Sequence, residues 1–119
     1  MSPAHSKSQA VTTVLAALDA DQKPESVVLR DAVRLLLAEL AKQAPGRSVE
    51  VRVPPYGVIQ CGGGPRHSRG TPPNVVETDP VTWVQLATGR LSWAEAVESG
   101  RVSASGNRAD LAAYLPLRH

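Results

Sequence analysis

Residues 77–107 read ETDPVTWVQLATGRLSWAEAVESGRVSASGN and carry the clearest start and stop signals in the chain. Asp79 followed by Pro80 predicts the start of a helix, because an N-cap carboxylate can accept a backbone N–H and proline fits the first turn. The next turns carry apolar residues at helical spacing, and Gly89 is expected to end the helix. This part of the sequence therefore predicts a short helix that packs one face against a core.

The second half of the same stretch predicts a helix, a strand and a last helix. The S-x-x-E pattern that begins at Ser92 is a capping box, and Gly100 can supply the left-handed residue that closes the helix behind it. Alternation over residues 101–105 predicts a strand. Asn107 is expected to cap a final helix that runs through Tyr114.

Three more strands are predicted upstream. Residues 48–53 (SVEVRV) alternate between valine and charged side chains, which is typical of a half-buried strand. Residues 56–61 form a second strand, hairpin-paired with the first, and residues 74–78 a third. Residues 62–74 between them hold four glycines and three prolines, so we expect a loop there.

Two helices are expected ahead of the sheet. Apolar residues at helical spacing between Val11 and Leu18 predict the first helix. Pro24 can open the second, which is expected to stop near Ala44 because Pro45-Gly46 cannot continue it. The chain is therefore predicted to be an α+β protein with a small, mostly antiparallel sheet of about four strands, covered on one face by helices. Residues 1–119 form a single domain in this interpretation, with a helical pair over 1–46 and the sheet and remaining helices over 47–119.

Composition excludes several functional classes. The 119 residues carry a net charge of only +2 and four aromatic side chains. A nucleic-acid-binding protein is therefore not expected, because such a protein needs a positive electrostatic field for the phosphates and clustered aromatic side chains on which bases stack. The longest apolar run, Val14–Leu18, is too short to cross a membrane. The single cysteine, Cys61, excludes an internal disulfide and fits a cytoplasmic location. No base, orienting group and nucleophile share a motif, so we predict neither catalysis nor a metal or cofactor.

The quoted stretch resembles the C-terminal half of sterol carrier protein 2-like domains. The shared features are an acidic residue before a short helix, a Gly-Arg-Leu turn at 89–91, a second short helix with alanine, and Gly-Arg-Val at 100–102 followed by glycine. Residues 49–67, which include Gly-Pro-Arg-His at 64–67, and residues 70–79 are similar to a small bacterial, mostly actinobacterial, branch of that group. The resemblance covers roughly residues 48–117. It implies a sheet covered by helices on one face, and binding of fatty acids, acyl-CoAs or other lipids in a tunnel between the two layers.

A lipid or another hydrophobic molecule is thus the expected partner. Its binding site on the protein is predicted to be lined by aliphatic side chains. The candidate lining residues lie on the second helix, the sheet and the C-terminal helical half: Val33, Leu36, Leu37, Leu40, Val51, Ile59, Leu86 and Leu91. The same residues would serve equally well as a solid core. Arg66, His67 and Arg69 lie in the glycine-rich loop, whose converging backbone N–H groups favour anions, and are the predicted head-group ligands.

A non-enzymatic interaction module is the alternative interpretation. A small sheet leaves edge strands, and such edges can pair with another chain. In that case we expect a homodimer, formed through a strand edge or the N-terminal helix, with a solid core and no bound small molecule.

Overall fold

The N-terminal third of the chain forms two helices, as its apolar periodicity predicts. The structure, a computed structural model, describes residues 7–64 and 74–118. Helix α1 spans Lys7–Asp19 and helix α2 spans Ser26–Gln43. Helix α2 begins two residues after Pro24, because Glu25 adopts the extended N-cap conformation and the buried proline precedes it. Its buried stripe repeats every three to four residues and turns one long face toward the core.

The sheet has four strands: β1 Val49–Val53, β2 Gly57–Cys61, β3 Val75–Thr78 and β4 Val102–Ser105. Their spatial order is β2-β1-β3-β4. Strands β1 and β2 form the predicted hairpin, strands β3 and β4 are also antiparallel, and β1 and β3 are parallel. The predicted α+β class and mostly antiparallel sheet are therefore confirmed, and β2 and β4 are the two edges.

The two faces of the sheet differ in burial as the alternating sequence predicts. Val49, Val51 and Val53 are buried at 2% exposure or less. Glu50 and Arg52 lie on the opposite face, where they form an ion pair. Val58, paired with Arg52 across the hairpin, is 57% exposed on that same face. One face of the sheet thus faces the helices and the other faces solvent.

Local capping fixes the two helices that follow β3. Helix α3 spans Pro80–Thr88, and its N-cap Asp79 accepts the backbone N–H of Thr82 at 3.0 Å. Gly89 ends it with a φ of 84°. Helix α4 spans Trp93–Glu98 and carries the complete capping box that begins at Ser92. These bounds confirm the start and stop signals in the sequence.

The predicted final helix over residues 107–114 is wrong, because this segment forms separate turns. Asn107 lies in a turn rather than at a helix N-cap, and the N–H of the next residue, Arg108, donates to the buried side chain of Asn74 at 2.8 Å. The Asp110 carboxylate accepts the backbone N–H of Ala112, a local bond that competes with helix formation. Tertiary bonds and burial of Leu111 therefore override the helical pattern.

Buried residues from α1 to the C-terminal segment form one hydrophobic cluster. Trp83 of α3 is 1% exposed, and its indole Nε1 donates to the Val33 carbonyl of α2 at 3.3 Å. Leu117, near the end of the chain, is also buried, and its N–H donates to the Ala87 carbonyl of α3. Within the described ranges, every helix is too short or too polar to cross a membrane.

Candidate ligand-binding site

The eight predicted lining residues lie together between the sheet and the helices. Six are buried at 8% exposure or less, and Ile59 and Leu91 are partly buried against the same cluster. Leu40 and Val51 are fully buried. Sequence periodicity therefore identified residues of one hydrophobic cluster: six are part of the buried core, and the other two pack against it.

Three of the eight also border space that is open to solvent. Leu36 lies at a groove in the helical layer, whereas Leu86 and Leu91 line a separate hollow beside the turn between α3 and α4. The remaining five line neither of these two spaces. Without entering the core, an apolar molecule can therefore reach only these three residues of the predicted set.

The helical groove, as we call the first of these spaces, measures about 520 Å³ and lies among α1, α2, the end of α3 and the C-terminal segment. Its apolar lining residues are Val11, Leu15, Leu35, Leu36, Ala87 and Leu117. Polar and charged side chains border them: Ser8, Thr12, Glu39, Thr88, Arg90 and Arg118. The arrangement is an apolar surface with a few polar groups, which is the usual composition of a small-molecule site.

Two tertiary bonds hold the C-terminal wall of the helical groove. The side-chain amide of Gln43 donates to the Arg118 carbonyl at 2.7 Å, and its oxygen accepts the Arg118 N–H at 2.9 Å. The guanidinium of Arg118 makes no ion pair with any residue of the described ranges. Arg118 is thus fixed to the end of α2 through its backbone, and its cationic side chain borders the groove.

The turn hollow, the second space, measures about 430 Å³. Its apolar lining comprises Leu86, Leu91, Trp93, Ala94, Ala112, Leu115 and Pro116, and Arg90, Ser92 and Glu95 add polar groups. Glu95 is already engaged there, because its carboxylate accepts the Ser92 hydroxyl at 2.9 Å in the capping box. Arg90 lines both spaces.

Arg66, His67 and Arg69, the predicted head-group ligands, lie outside the described residues. The residues on either side of their loop are fixed by a buried polar network. Asn74 donates through its side-chain amide to the Ser48 carbonyl at 2.7 Å, and the Ser48 hydroxyl donates to the Gly62 carbonyl at 3.0 Å.

Cys61, the end residue of β2, is fully buried, and its burial raises the pKa of the thiol from 9.0 to about 11. A protonated, inaccessible thiol is a poor nucleophile, so this residue acts as a small apolar side chain of the core. The described residues also contain no group of three or more His, Cys, Asp or Glu side chains that could hold a metal ion.

Most of the helical groove is not indicated by the sequence patterns. Leu35 and Leu117 fall outside the apolar stripes that predict the core, and the Gly-Arg-Leu pattern predicts only a turn at Arg90. A signal was available in α1, where Val11 and Leu15 are four residues apart on one helical face. No comparable signal exists for Leu117, because its place in the groove depends on a tertiary bond to α3.

Comparison with known proteins identifies one family. The model of a family described as bacterial SCP ortholog, where SCP stands for sterol carrier protein, matches residues 25–117. The match begins at the N-cap of α2, so helix α1 lies outside it. A search of curated proteins finds no match.

Proposed function

This chain belongs to the bacterial SCP ortholog family, and from that premise we propose that it binds a hydrophobic small molecule in its helical groove, without catalysing a reaction on it. The family suggests a lipid or hydrophobic carrier role. The groove is the place where that role needs the least rearrangement of this fold.

The observation that carries the proposal is the composition of the groove. Six apolar side chains from α1, α2, α3 and the C-terminal segment line about 520 Å³ of open space, and it is bordered by the Arg118 guanidinium, which makes no ion pair within residues 7–64 and 74–118. Burying an alkyl chain against such a surface contributes about 0.8 kcal/mol for each CH₂ group removed from water. Ten buried CH₂ groups contribute about 8 kcal/mol, from which an association cost of about 4 kcal/mol or more is subtracted, so the ligand must carry a long alkyl chain rather than a short one.

The predicted core wall is a competing site within the same proposal. A ligand among Leu37, Leu40 and Val51 would have to separate α2 from the sheet, because these residues are at most 2% exposed. Separating them costs the free energy of their packing, whereas the helical groove is already open. We therefore place the ligand in the groove, and the core wall and the loop residues Arg66, His67 and Arg69 stay predictions.

A groove-filling substitution tests the proposal. Leu35 is half-buried in the groove, so Leu35→Trp adds volume to open space rather than to the core. We expect this variant to lose binding of decanol, measured by isothermal titration calorimetry, while its melting temperature stays within a few degrees of the original.

Val58→Trp is the matched control, because Val58 is 57% exposed on the opposite face of the sheet. It introduces the same indole without touching the groove, so we expect unchanged binding. Equal affinities for decanol in the original protein and in Leu35→Trp would contradict the groove as the site. No saturable binding of decanol to the original protein would contradict the function itself.

The interaction-module interpretation makes a different prediction. It requires a stable dimer, and the edge strands β2 and β4 are the surfaces that could pair. Light scattering coupled to size-exclusion chromatography measures the mass directly. A monomer that binds decanol favours the carrier proposal, and a stable dimer that binds none favours the alternative.

A further inference from the structure

Arg90 lies between the two open spaces of the helical layer. Its side chain lines the helical groove and also the turn hollow. The C-terminal segment follows the same division, because Leu115 and Pro116 line the hollow whereas Leu117 and Arg118 line the groove. A cation at this position is accessible to a ligand in either space.

The backbone of Arg90 is fixed by the end of α3. Gly89 has a φ of 84°, its N–H donates to the Leu86 carbonyl, and the Arg90 N–H donates to the Gln85 carbonyl at 2.9 Å. These two bonds form a Schellman motif, which sets the direction in which the chain leaves the helix. Position 90 also lies at the negative end of the α3 dipole, where a guanidinium is favoured.

In the free protein the guanidinium of Arg90 is paired with a residue that precedes residues 25–117, the part of the chain that the family matches. The Arg90 Nη1 atom forms an ion pair with the carboxylate of Asp19, the last residue of α1. The pair is accessible to solvent, with 42% of the arginine side chain and 60% of the aspartate side chain exposed. A solvent-exposed ion pair changes an equilibrium constant by about fivefold at most. A ligand carboxylate can therefore replace Asp19 as the partner of Arg90 with little loss of free energy.

We propose that Arg90 binds the anionic end of an amphiphilic ligand and that Asp19 occupies its guanidinium until the ligand displaces it. The proposal rests on the groove being the hydrophobic site. Arg90 and Arg118 give the groove two cationic side chains against the single acidic side chain Glu39, so its charge favours an anion. Glu95, on the hollow side, is engaged in the capping box and does not compete for Arg90.

The test compares two ligands with the same alkyl chain. Decanoate and decanol share the chain CH₃(CH₂)₈ and differ in the end group, an anionic carboxylate in one and a neutral CH₂OH in the other. Calorimetry measures the affinity of each for the original protein, for Arg90→Gln and for Asp19→Asn. We expect Arg90→Gln to weaken decanoate about fivefold and Asp19→Asn to strengthen it about two- to fivefold. Decanol should bind Asp19→Asn as tightly as it binds the original protein, and Arg90→Gln should weaken decanol binding less than it weakens decanoate binding.

The double variant shows whether the two side chains act as a pair. With glutamine at position 90 there is no guanidinium to compete for, so adding Asp19→Asn should no longer strengthen decanoate binding. Arg90→Lys retains the charge and should retain part of the preference for decanoate. Melting temperatures of all variants establish that each is folded.

Two results would overturn the inference, and they are distinguishable. If decanol and decanoate both bind but Arg90→Gln weakens neither, Arg90 is not the head-group residue, although the groove function stands. If Asp19→Asn strengthens decanoate equally with and without Arg90, the effect is a general change in charge and the exchange is refuted. If neither ligand binds the original protein, the groove function fails and the inference fails with it.

Discussion

Replacing Leu40 by alanine measures whether the space between the sheet and the helices is filled. Leu40 is fully buried on α2 and lies in the same cluster as Trp83 and Val51. The substitution removes three carbon groups, a transfer contribution of about 2.4 kcal/mol at 0.8 kcal/mol each. The cavity left in a packed core adds to this, so we expect the free energy of unfolding to fall by about 3–5 kcal/mol.

Thermal and urea unfolding can both detect a loss of this size. For a domain of this length, 1 kcal/mol corresponds to roughly 3–6 °C, so a loss of about 3–5 kcal/mol should lower the melting temperature by about 10–30 °C. Circular dichroism reports helix loss, and the fluorescence of the buried Trp83 reports the core. Val58→Ala is the control, because Val58 is 57% exposed and its truncation should cost less than about 0.5 kcal/mol.

A small effect would refute the reasoning. If Leu40→Ala costs less than about 1 kcal/mol, the side chain already faces empty space, and the predicted ligand wall is a real cavity wall. The ligand site would then move from the helical groove to the space between the sheet and the helices.

Three further predictions concern local features. Gly46→Ala should lower the free energy of unfolding, measured in urea, by about 1–3 kcal/mol, because Gly46 has a φ of 138° and a Cβ there would lie 2.0 Å from the Gly62 carbonyl oxygen. Gly63→Ala should lower it far less, because a Cβ at Gly63 would have no atom within 4 Å. Asp79→Ala should cost about 0.5–2 kcal/mol in the same assay through loss of the α3 N-cap, and no change would contradict the cap. The Cys61 thiol should resist thiol reagents at pH 8 until the protein unfolds, and rapid labelling of the folded protein would disprove its burial. The free energy of unfolding should fall between pH 9 and 11, because the thiol loses its proton at a lower pH in the unfolded chain than in the folded protein.

The elements that the sequence predicts well are those fixed by neighbouring residues. Asp79 and Gly89 set the limits of α3 through bonds that span at most four residues, so the pattern alone was sufficient. The hairpin of β1 and β2 is local in the same sense. The parallel pairing of β1 with β3 joins segments more than twenty residues apart, and nothing in either strand encodes it.

The errors have a common physical cause in long-range contacts. Asn107 looks like a helix cap in the sequence, yet the Arg108 N–H ties the start of this segment to Asn74, more than thirty residues earlier. The helical groove combines α1, α2, α3 and the residues around Leu117, which meet only in the folded chain. Periodicity therefore located the core and could not locate the open space beside it.

The site of the hydrophobic ligand is tested most directly by a two-dimensional ¹H–¹⁵N NMR titration of the protein with decanol. The account predicts saturable shifts at the amides of Val11, Leu15, Leu35 and Leu117, which line the helical groove. The amide signals of Val51 and Ile59, within the sheet, should not shift. Saturable shifts centred on these strand amides, with the groove amides unmoved, would contradict it.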